Sequence, residues 1–223
     1  MQLENWKTEH LILIDSIYEN PELFEYGRSS HGDKGHKTWG NMSAPQIKAL
    51  LNLACKNLEE DEIYCEIGIY KGNTLTGALL DNHAHAVGVD NFSQFGGSNG
   101  SGDVYKQLIT NLENMGVIDR VEIVIKDFKI FFEEYNGKKF GVYFYDGRHS
   151  YEDQTTGLEL AIPNLANNAL IFIDDCRDSE VKRATKDFCE KHEEATMIFE
   201  KIPNRINDPF WHMGLQIVEW KSL

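Results

Sequence analysis

The chain is short of basic residues. It carries 22 Lys and Arg against 36 Asp and Glu over 223 residues, a formal net charge of −14. Such a surface repels phosphate backbones and anionic lipid. Lys138-Lys139 and Lys182-Arg183 are isolated pairs and make no basic patch, so nucleic acid and membranes are poor partners. Cysteine is scarce as well. Cys55, Cys65, Cys176 and Cys189 form no CxxC pair, which leaves a zinc ribbon or a thioredoxin-type motif without support. Cys65 sits in an apolar run, where a free thiol behaves as a small apolar side chain. No apolar stretch approaches the ~20 residues that span a bilayer. The start, Met1-Gln2-Leu3-Glu4-Asn5, lacks the basic and apolar regions of a signal peptide. A reducing, cytoplasmic setting is the expectation. There is no internal repeat, and the only low-complexity tract is the glycine-rich stretch 96–102. What remains, 41% hydrophobic and 26% charged, suits a globular chain long enough for one α/β domain and a short extension.

Leu3, Trp6, His10, Leu13, Ile14 and Ile17 recur at helical spacing, and Asn20-Pro21 ends that pattern. A polar, glycine-spaced segment from Gly27 to Asn41 follows, with His31, His36 and Trp39. The two histidines lie on a glycine-rich loop with no third ligand and are expected to face solvent. Residues 1–43 thus read as a helix and a lid-like loop, and residues 44–223 as the main domain. Ser43 can cap a helix that runs to about Asn57 with Pro45 in its first turn. Strands are expected near 63–67, 86–90, 121–125, 141–146 and 170–174. Helices are expected near 73–81, 103–115, 151–166 and 179–193. Short, continuously apolar strands between helices predict an α/β fold, a largely parallel sheet covered on both faces. Thr196–Phe199 and Met213–Val218 break the rhythm: joined by a loop alone, they predict an antiparallel pair.

The segment Glu66-Ile67-Gly68-Ile69-Tyr70-Lys71-Gly72-Asn73-Thr74 carries the most information. An apolar strand, a glycine turn and a helix are followed by a second strand, Ala86-Val87-Gly88-Val89, ending in Asp90. That succession makes a nucleoside site: glycines let the backbone approach a ligand, and an acid at the second strand's tip binds ribose hydroxyls. Nicotinamide cofactors prefer three turn glycines, and here Tyr70 holds the middle place. The pattern E-I-G-x-x-x-G-x-T instead resembles the first motif of class I S-adenosylmethionine (SAM)-dependent O-methyltransferases.

That resemblance implies a three-layer α-β-α Rossmann-like methyltransferase fold, seven strands ending in an antiparallel hairpin. It implies that Glu66 and the Gly68–Gly72 turn, with Tyr70, Asn73 and Thr74, face the amino-acid end and ribose of SAM. Asp90, followed by Asn91, would take the ribose hydroxyls. A hydrogen bond to a charged acceptor is worth roughly 1.5–3 kcal/mol, enough for Asp90 to decide binding. Asp127 and Phe128, past the third strand, match the adenine position, where an acid accepts from the amine and an aromatic flanks the ring. Asp127 equally fits a helix N-cap.

Asp146-Gly147-Arg148-His149-Ser150-Tyr151-Glu152 and the strand end Asp174-Asp175 form a second block. Adjacent strand tips ~4.8 Å apart bring such acids together. Three close carboxylates repel unless a hard cation or a proton neutralises them, and all-oxygen donors favour Mg²⁺ over Zn²⁺. The D-G-x-H-S-Y-E segment resembles metal-dependent sugar- and antibiotic-tailoring methyltransferases, and the spacing of the acids resembles the catechol O-methyltransferases. The resemblance implies a divalent cation on Asp146, Asp174 and Asp175, with Asp in the last place where the catechol enzymes have Asn. His149 holds the place of their general base, a Lys. It fits a base near neutral pH and equally a residue that caps the next helix or holds Asp146. Asp174-Asp175 also fits a solvated strand end.

The implied activity is methyl transfer to a hydroxyl of a small molecule. The acceptor is expected under Gly27–Asn41, Asn91–Asp103 and the Pro203–His212 loop with Phe210 and Trp211. Two other readings stand beside it. One is an NAD(P)-linked oxidoreductase, for which Tyr135 and Lys139 would need to lie on a helix although Asn136-Gly137 marks a turn. The other is a non-catalytic Rossmann-like binding module. The first helix could cover a sheet edge, cap the site or pair with a second subunit in a homo-oligomer.

Overall fold

A computed structural model describes residues 1–19, 43–93 and 102–222 of the chain. The apolar runs form seven strands: β1 (Glu62–Ile67), β2 (Ala86–Val89), β3 (Val121–Val124), β4 (Lys139–Tyr145), β5 (Leu165–Asp174), β6 (Ala195–Lys201) and β7 (Leu215–Lys221). The described helices are α1 (Leu3–Glu19), α2 (Pro45–Lys56), α3 (Asn73–Leu79), α4 (Asp103–Asn114), α5 (Phe128–Glu134), α6 (Tyr151–Ala161) and α7 (Ser179–Lys191). Strand order is β3-β2-β1-β4-β5-β7-β6. The first five are parallel, and β7 runs antiparallel to both β5 and β6. This is the expected α/β Rossmann-like methyltransferase fold, with its terminal hairpin. No described helix is long and apolar enough to cross a membrane.

Both faces of the sheet are covered, which is why its strands are apolar without interruption. On β4 the side chains alternate. Val142 and Phe144 join a core with Trp6, Ile47, Leu50, Leu75 and Leu108 from α1 to α4. Tyr143 and Tyr145 join the opposite core with Phe131, Leu158, Val181 and Phe188 from α5 to α7. Fully burying one such side chain contributes roughly 1.5–3 kcal/mol. The first helix belongs to this packing. Trp6 is fully buried, meets Phe172 edge-on at 6.2 Å and donates from Nε1 to the Leu50 carbonyl at 3.4 Å. Lys7 pairs with Glu219 of β7 at 2.7 Å. Among the places expected for it, α1 takes one over its own sheet.

Three local expectations differ from what forms. Ala44, not Ser43, holds the N-cap position of α2, and the Ser43 hydroxyl has no hydrogen-bond partner; Pro45 is in the first turn as expected. The helix expected to reach 166 ends at Ala161, because Ile162–Asn164 tightens into a 3₁₀ turn at Pro163 and Leu165 already pairs in β5. Helix α5 is absent from the expected helices, although a cap at Asp127 is one of that residue's two readings. It is seven residues of aromatic-rich sequence, too short for a periodic signal, and it starts because Asp127 accepts from the Lys129 N–H at 2.9 Å.

Parallel order brings the C-terminal ends of β1 to β5 to one edge. Glu66, Asp90, Asp127, Asp146 and Asp174 stand there, one from each strand end or the residues just past it.

Candidate active site

The turn after β1 depends on backbone shapes that favour glycine. Gly68 has φ +91° and Gly72 φ +79°. A Cβ on Gly68 would lie 2.0 Å from the Asp146 carbonyl oxygen, so the turn and the segment after β4 touch backbone to backbone. Tyr70 and Phe92 also take positive φ, +43° and +51°. Asp90 holds both in place: Oδ2 accepts from the Tyr70 N–H at 2.9 Å and Oδ1 from the Phe92 N–H at 2.7 Å. Burial raises the Asp90 carboxyl, and these two bonds oppose the rise. Each of its oxygens retains a lone pair.

Glu66 lies beneath the turn and is fully buried. Oε1 accepts from the Thr74 hydroxyl, and Oε2 accepts from the Tyr64 hydroxyl at 2.6 Å. Burial raises its carboxyl to about 7, against the lowering effect of those two bonds; Asp90 adds to the rise. Thr74 is therefore committed to Glu66. Asn73 accepts at Oδ1 from Lys48 Nζ at 3.3 Å, and Asn91 accepts at Oδ1 from the Ser93 N–H at 3.0 Å. Of the two readings of Asp127, the cap is made. Phe128 is half-buried and stands edge-on to Tyr145 at 5.8 Å.

The acids of β4 and β5 make a second cluster. The Asp146 side chain is 22% exposed, the Asp175 side chain 20%, and Asp174 only 1%. Burial, then the charges of Asp174 and Asp175, push the Asp146 carboxyl well above the carboxylate range. Burial, then Asp175, does the same to Asp174. Asp174 Oδ1 and Asp175 Oδ1 are buried without a hydrogen-bond partner. His149 Nε2 is 3.1 Å from Asp175 Oδ2 and 3.9 Å from Asp146 Oδ1, while its Nδ1 is buried without a partner. The imidazole thus stands closer to Asp175 than to Asp146.

The cation implied by the resemblance requires several oxygens around one point. Two partnerless carboxylate oxygens are at hand, but among the described residues no three His, Cys, Asp or Glu side chains converge so that they could hold a metal ion. The triad expected from Asp146, Asp174 and Asp175 is not assembled as a metal centre; Asp175 is turned to His149 instead.

Sequence reasoning missed His212. It comes from the β6–β7 connection, takes φ +52° and puts Nε2 4.0 Å from Asp175 Oδ1. Burial lowers its imidazole, Asp175 opposes that, and nearby His149 lowers it further. No local pattern announces it; the antiparallel return of β7 beside β5 brings it there. Asp208 orders the same loop, with Oδ1 accepting from the N–H of Phe210 and of Trp211 at 3.0 and 3.1 Å. Phe210, half-exposed, and Trp211, buried and tilted against Phe199, both line a cavity of about 430 Å³ with Lys201, Pro203 and Arg205. The loop Gly27–Asn41, with His31 and His36, and residues 94–101 lie outside the described residues. Tyr135 ends α5 and Lys139 starts β4, so they do not share the helix that the dehydrogenase reading required.

Comparison with solved structures finds the same fold at low identity. An O-methyltransferase from Bacillus cereus in complex with SAH aligns at TM-score 0.57 and 13% identity, over 96% of this chain and 91% of that one. TomG, an O-methyltransferase from Streptomyces achromogenes in complex with SAM, aligns at 0.57 and 14%, over 96% and 90%. An rRNA methylase from Streptococcus thermophilus aligns at 0.55 and 14%, over 77% and 94%. No curated protein matches the sequence. A family profile described as a methyltransferase domain matches residues 65–176, half of the chain, from β1 through the acids of β5. The chain belongs to this methyltransferase family.

Proposed function

We propose that the protein is a SAM-dependent O-methyltransferase acting on a hydroxyl of a small molecule. One observation carries the reading: the Gly68 turn touches the Asp146 backbone, and Asp146 begins the segment that ends in His149. The donor turn and the candidate base are thus neighbours at one edge of the sheet. The SAH and SAM named with the Bacillus and Streptomyces enzymes support the donor. The net charge of −14 supports a small acceptor over a polyanion such as the substrate of an rRNA methylase.

When bound, SAM supplies a methyl carbon on a sulfonium, open to in-line attack. The chain's part is to bind, orient and take a proton. Gly68, Tyr70, Gly72 and Asn73 form the backbone cradle, stiffened from below by Glu66 and Thr74. Asp90, with Asn91 beside it, receives ribose hydroxyls on the lone pairs its backbone bonds leave. Asp127 and Phe128 border the adenine. Asp175, 3.1 Å from His149 Nε2, steadies the imidazole, which takes the acceptor's proton as its oxygen attacks. Asp146 lines the gap between donor and base. Holding oxygen, carbon and sulfur in line contributes by positioning. Residues 1–43 are proposed as an N-terminal helix and a lid-like loop, and residues 44–223 as the SAM-dependent methyltransferase domain.

The test is a thermal-shift series with SAM, SAH and NAD, followed by mass-spectrometric detection of methyl transfer to a panel of hydroxylated small molecules, with and without chelator. SAM and SAH should raise the melting temperature and NAD should not. A ligand at 100 times its dissociation constant adds about 2.7 kcal/mol. Stabilisation by NAD alone would overturn the reading.

A further inference from the structure

The cavity at the β6–β7 connection has a positive wall, although the chain carries 36 acids against 22 bases. Lys201, the last residue of β6, and Arg205 line it, and among its described lining residues Asp208 is the one acid. The Asp208 charge is already engaged. Oδ1 accepts from the Phe210 and Trp211 N–H groups, and Oδ2 stands 3.6 Å from Arg205 Nε. That pairing uses Nε and leaves the two terminal nitrogens of the guanidinium as donors.

Glu200, next to Lys201, does not neutralise it, because successive strand residues face opposite sides. Glu200 accepts from Gln216 Nε2 at 2.7 Å and pairs with Lys182 at 3.6 Å. Lys201 instead stands opposite Leu215 in the ladder, with Nζ 6.0 Å from the centre of the Trp211 ring. Leu215 and Trp211 belong to the core under α1 to α4, together with Phe172 of β5. Two residues beyond Phe172, on the same face, is Asp174. The loop is tied to that strand end: Arg177 donates from Nη1 to the Pro203 carbonyl at 2.5 Å and from its N–H to the Met213 carbonyl at 2.9 Å. Trp211 is followed by His212, 4.0 Å from one oxygen of Asp175, whose other oxygen is 3.1 Å from His149.

We propose that the acceptor is a hydroxylated ring compound bearing a carboxylate, which Lys201 and Arg205 bind while the ring lies against Phe210. The assignment rests on the methyl-transfer reading above and names the acceptor's class. Two cations and one acid leave one net positive charge, which matches a carboxylate rather than a doubly charged phosphate. The guanidinium fork fits the two carboxylate oxygens, and the half-exposed Phe210 offers a ring an apolar face. A volume of about 430 Å³ is at the small end of ligand pockets and suits a single-ring compound. Anchored by its acid end, such a compound presents the hydroxyl at the far end of the ring to His149.

Calorimetric titration of 4-hydroxybenzoate and of 4-methylphenol, with and without SAH, tests it. The two share ring and hydroxyl and differ in the carboxylate. The wild type should bind the acid about tenfold more tightly or better. In the double variant Lys201→Met with Arg205→Met, the acid should weaken to the affinity of 4-methylphenol, while 4-methylphenol and SAH binding should change less than about twofold. Lys201→Arg, which keeps the charge, should retain the preference. Equal affinity of the wild type for the two compounds, binding of neither, or equal loss of both in the double variant overturns the inference. No SAH binding with the carboxylate preference intact overturns the donor reading alone.

Discussion

The two halves of the sheet edge, after β1 and β2 and after β4 and β5, are built in opposite ways. On the donor side the two acids of the turn are satisfied, Glu66 by Thr74 and Tyr64 and Asp90 by two backbone N–H groups, although the Thr76 hydroxyl beyond the turn has no partner. On the side of β4 and β5 they are not: Asp174 Oδ1, Asp175 Oδ1 and His149 Nδ1 are buried without partners, and Asp146 and Asp174 repel. Unmade bonds and repulsion of this kind cost folding free energy. They are tolerated where a ligand or a reaction later uses them. The difference separates a turn whose acids are held by hydrogen bonds from a strand edge whose acids repel one another.

Changes on the donor side should break the fold first. Gly68→Ala would put a methyl into the Asp146 carbonyl at a φ that side chains rarely adopt, and should cost more than about 3 kcal/mol in urea denaturation. A normal midpoint would mean the two backbones can part. On the other side, His149→Ala should lower kcat about 10²- to 10⁴-fold on an acceptor found in the panel, with SAH affinity unchanged within about twofold. If SAH affinity fell as far as kcat, His149 would belong to the cradle.

Titration sharpens the contrast. Glu66 is raised from 4.5 to about 7, so its protonated form is favoured by folding. Its contribution is present below pH 4.5 and is lost as pH rises through about 7. At ~1.4 kcal/mol per unit this removes about 2–4 kcal/mol of stability by pH 8. Glu66→Gln should flatten that slope, with one of the Thr74 and Tyr64 hydroxyls turning to accept from the amide; an unchanged slope between pH 5 and 8 would place the titration elsewhere. The smallest effect should come from Asp174→Asn. It removes a repelling charge from the edge of β4 and β5 and should stabilise the unliganded protein at pH 8 by about 1–3 kcal/mol, with activity falling. Destabilisation would show that Asp174 is held by its surroundings.

Much of the donor side was legible in order along the chain. Strand, glycine turn, helix and Asp90 are contiguous, and their spacing alone selects the nucleoside-type turn. Glu66 shows where such reading stops: its place in the motif is visible, but its burial and its bond to Tyr64 are not. Helix α5 escaped because seven residues give too little periodicity, although its cap, Asp127, was visible as one of two readings. The acids of β4 and β5 were legible as a set, because each ends an apolar strand. Their arrangement was not, since the turn of Asp175 toward His149 depends on its φ of +55° and on what approaches from other strands.

Local sequence by itself determined the alternation of strands and helices, the terminal hairpin and the donor turn, because periodicity and turn chemistry act over a few residues. Only the tertiary structure decided that Lys48 reaches Asn73, that His212 stands beside Asp175, and that Gly68 touches Asp146. Those contacts join residues far apart in the chain. They exist because the strand order places β1 next to β4 and returns β7 along β5.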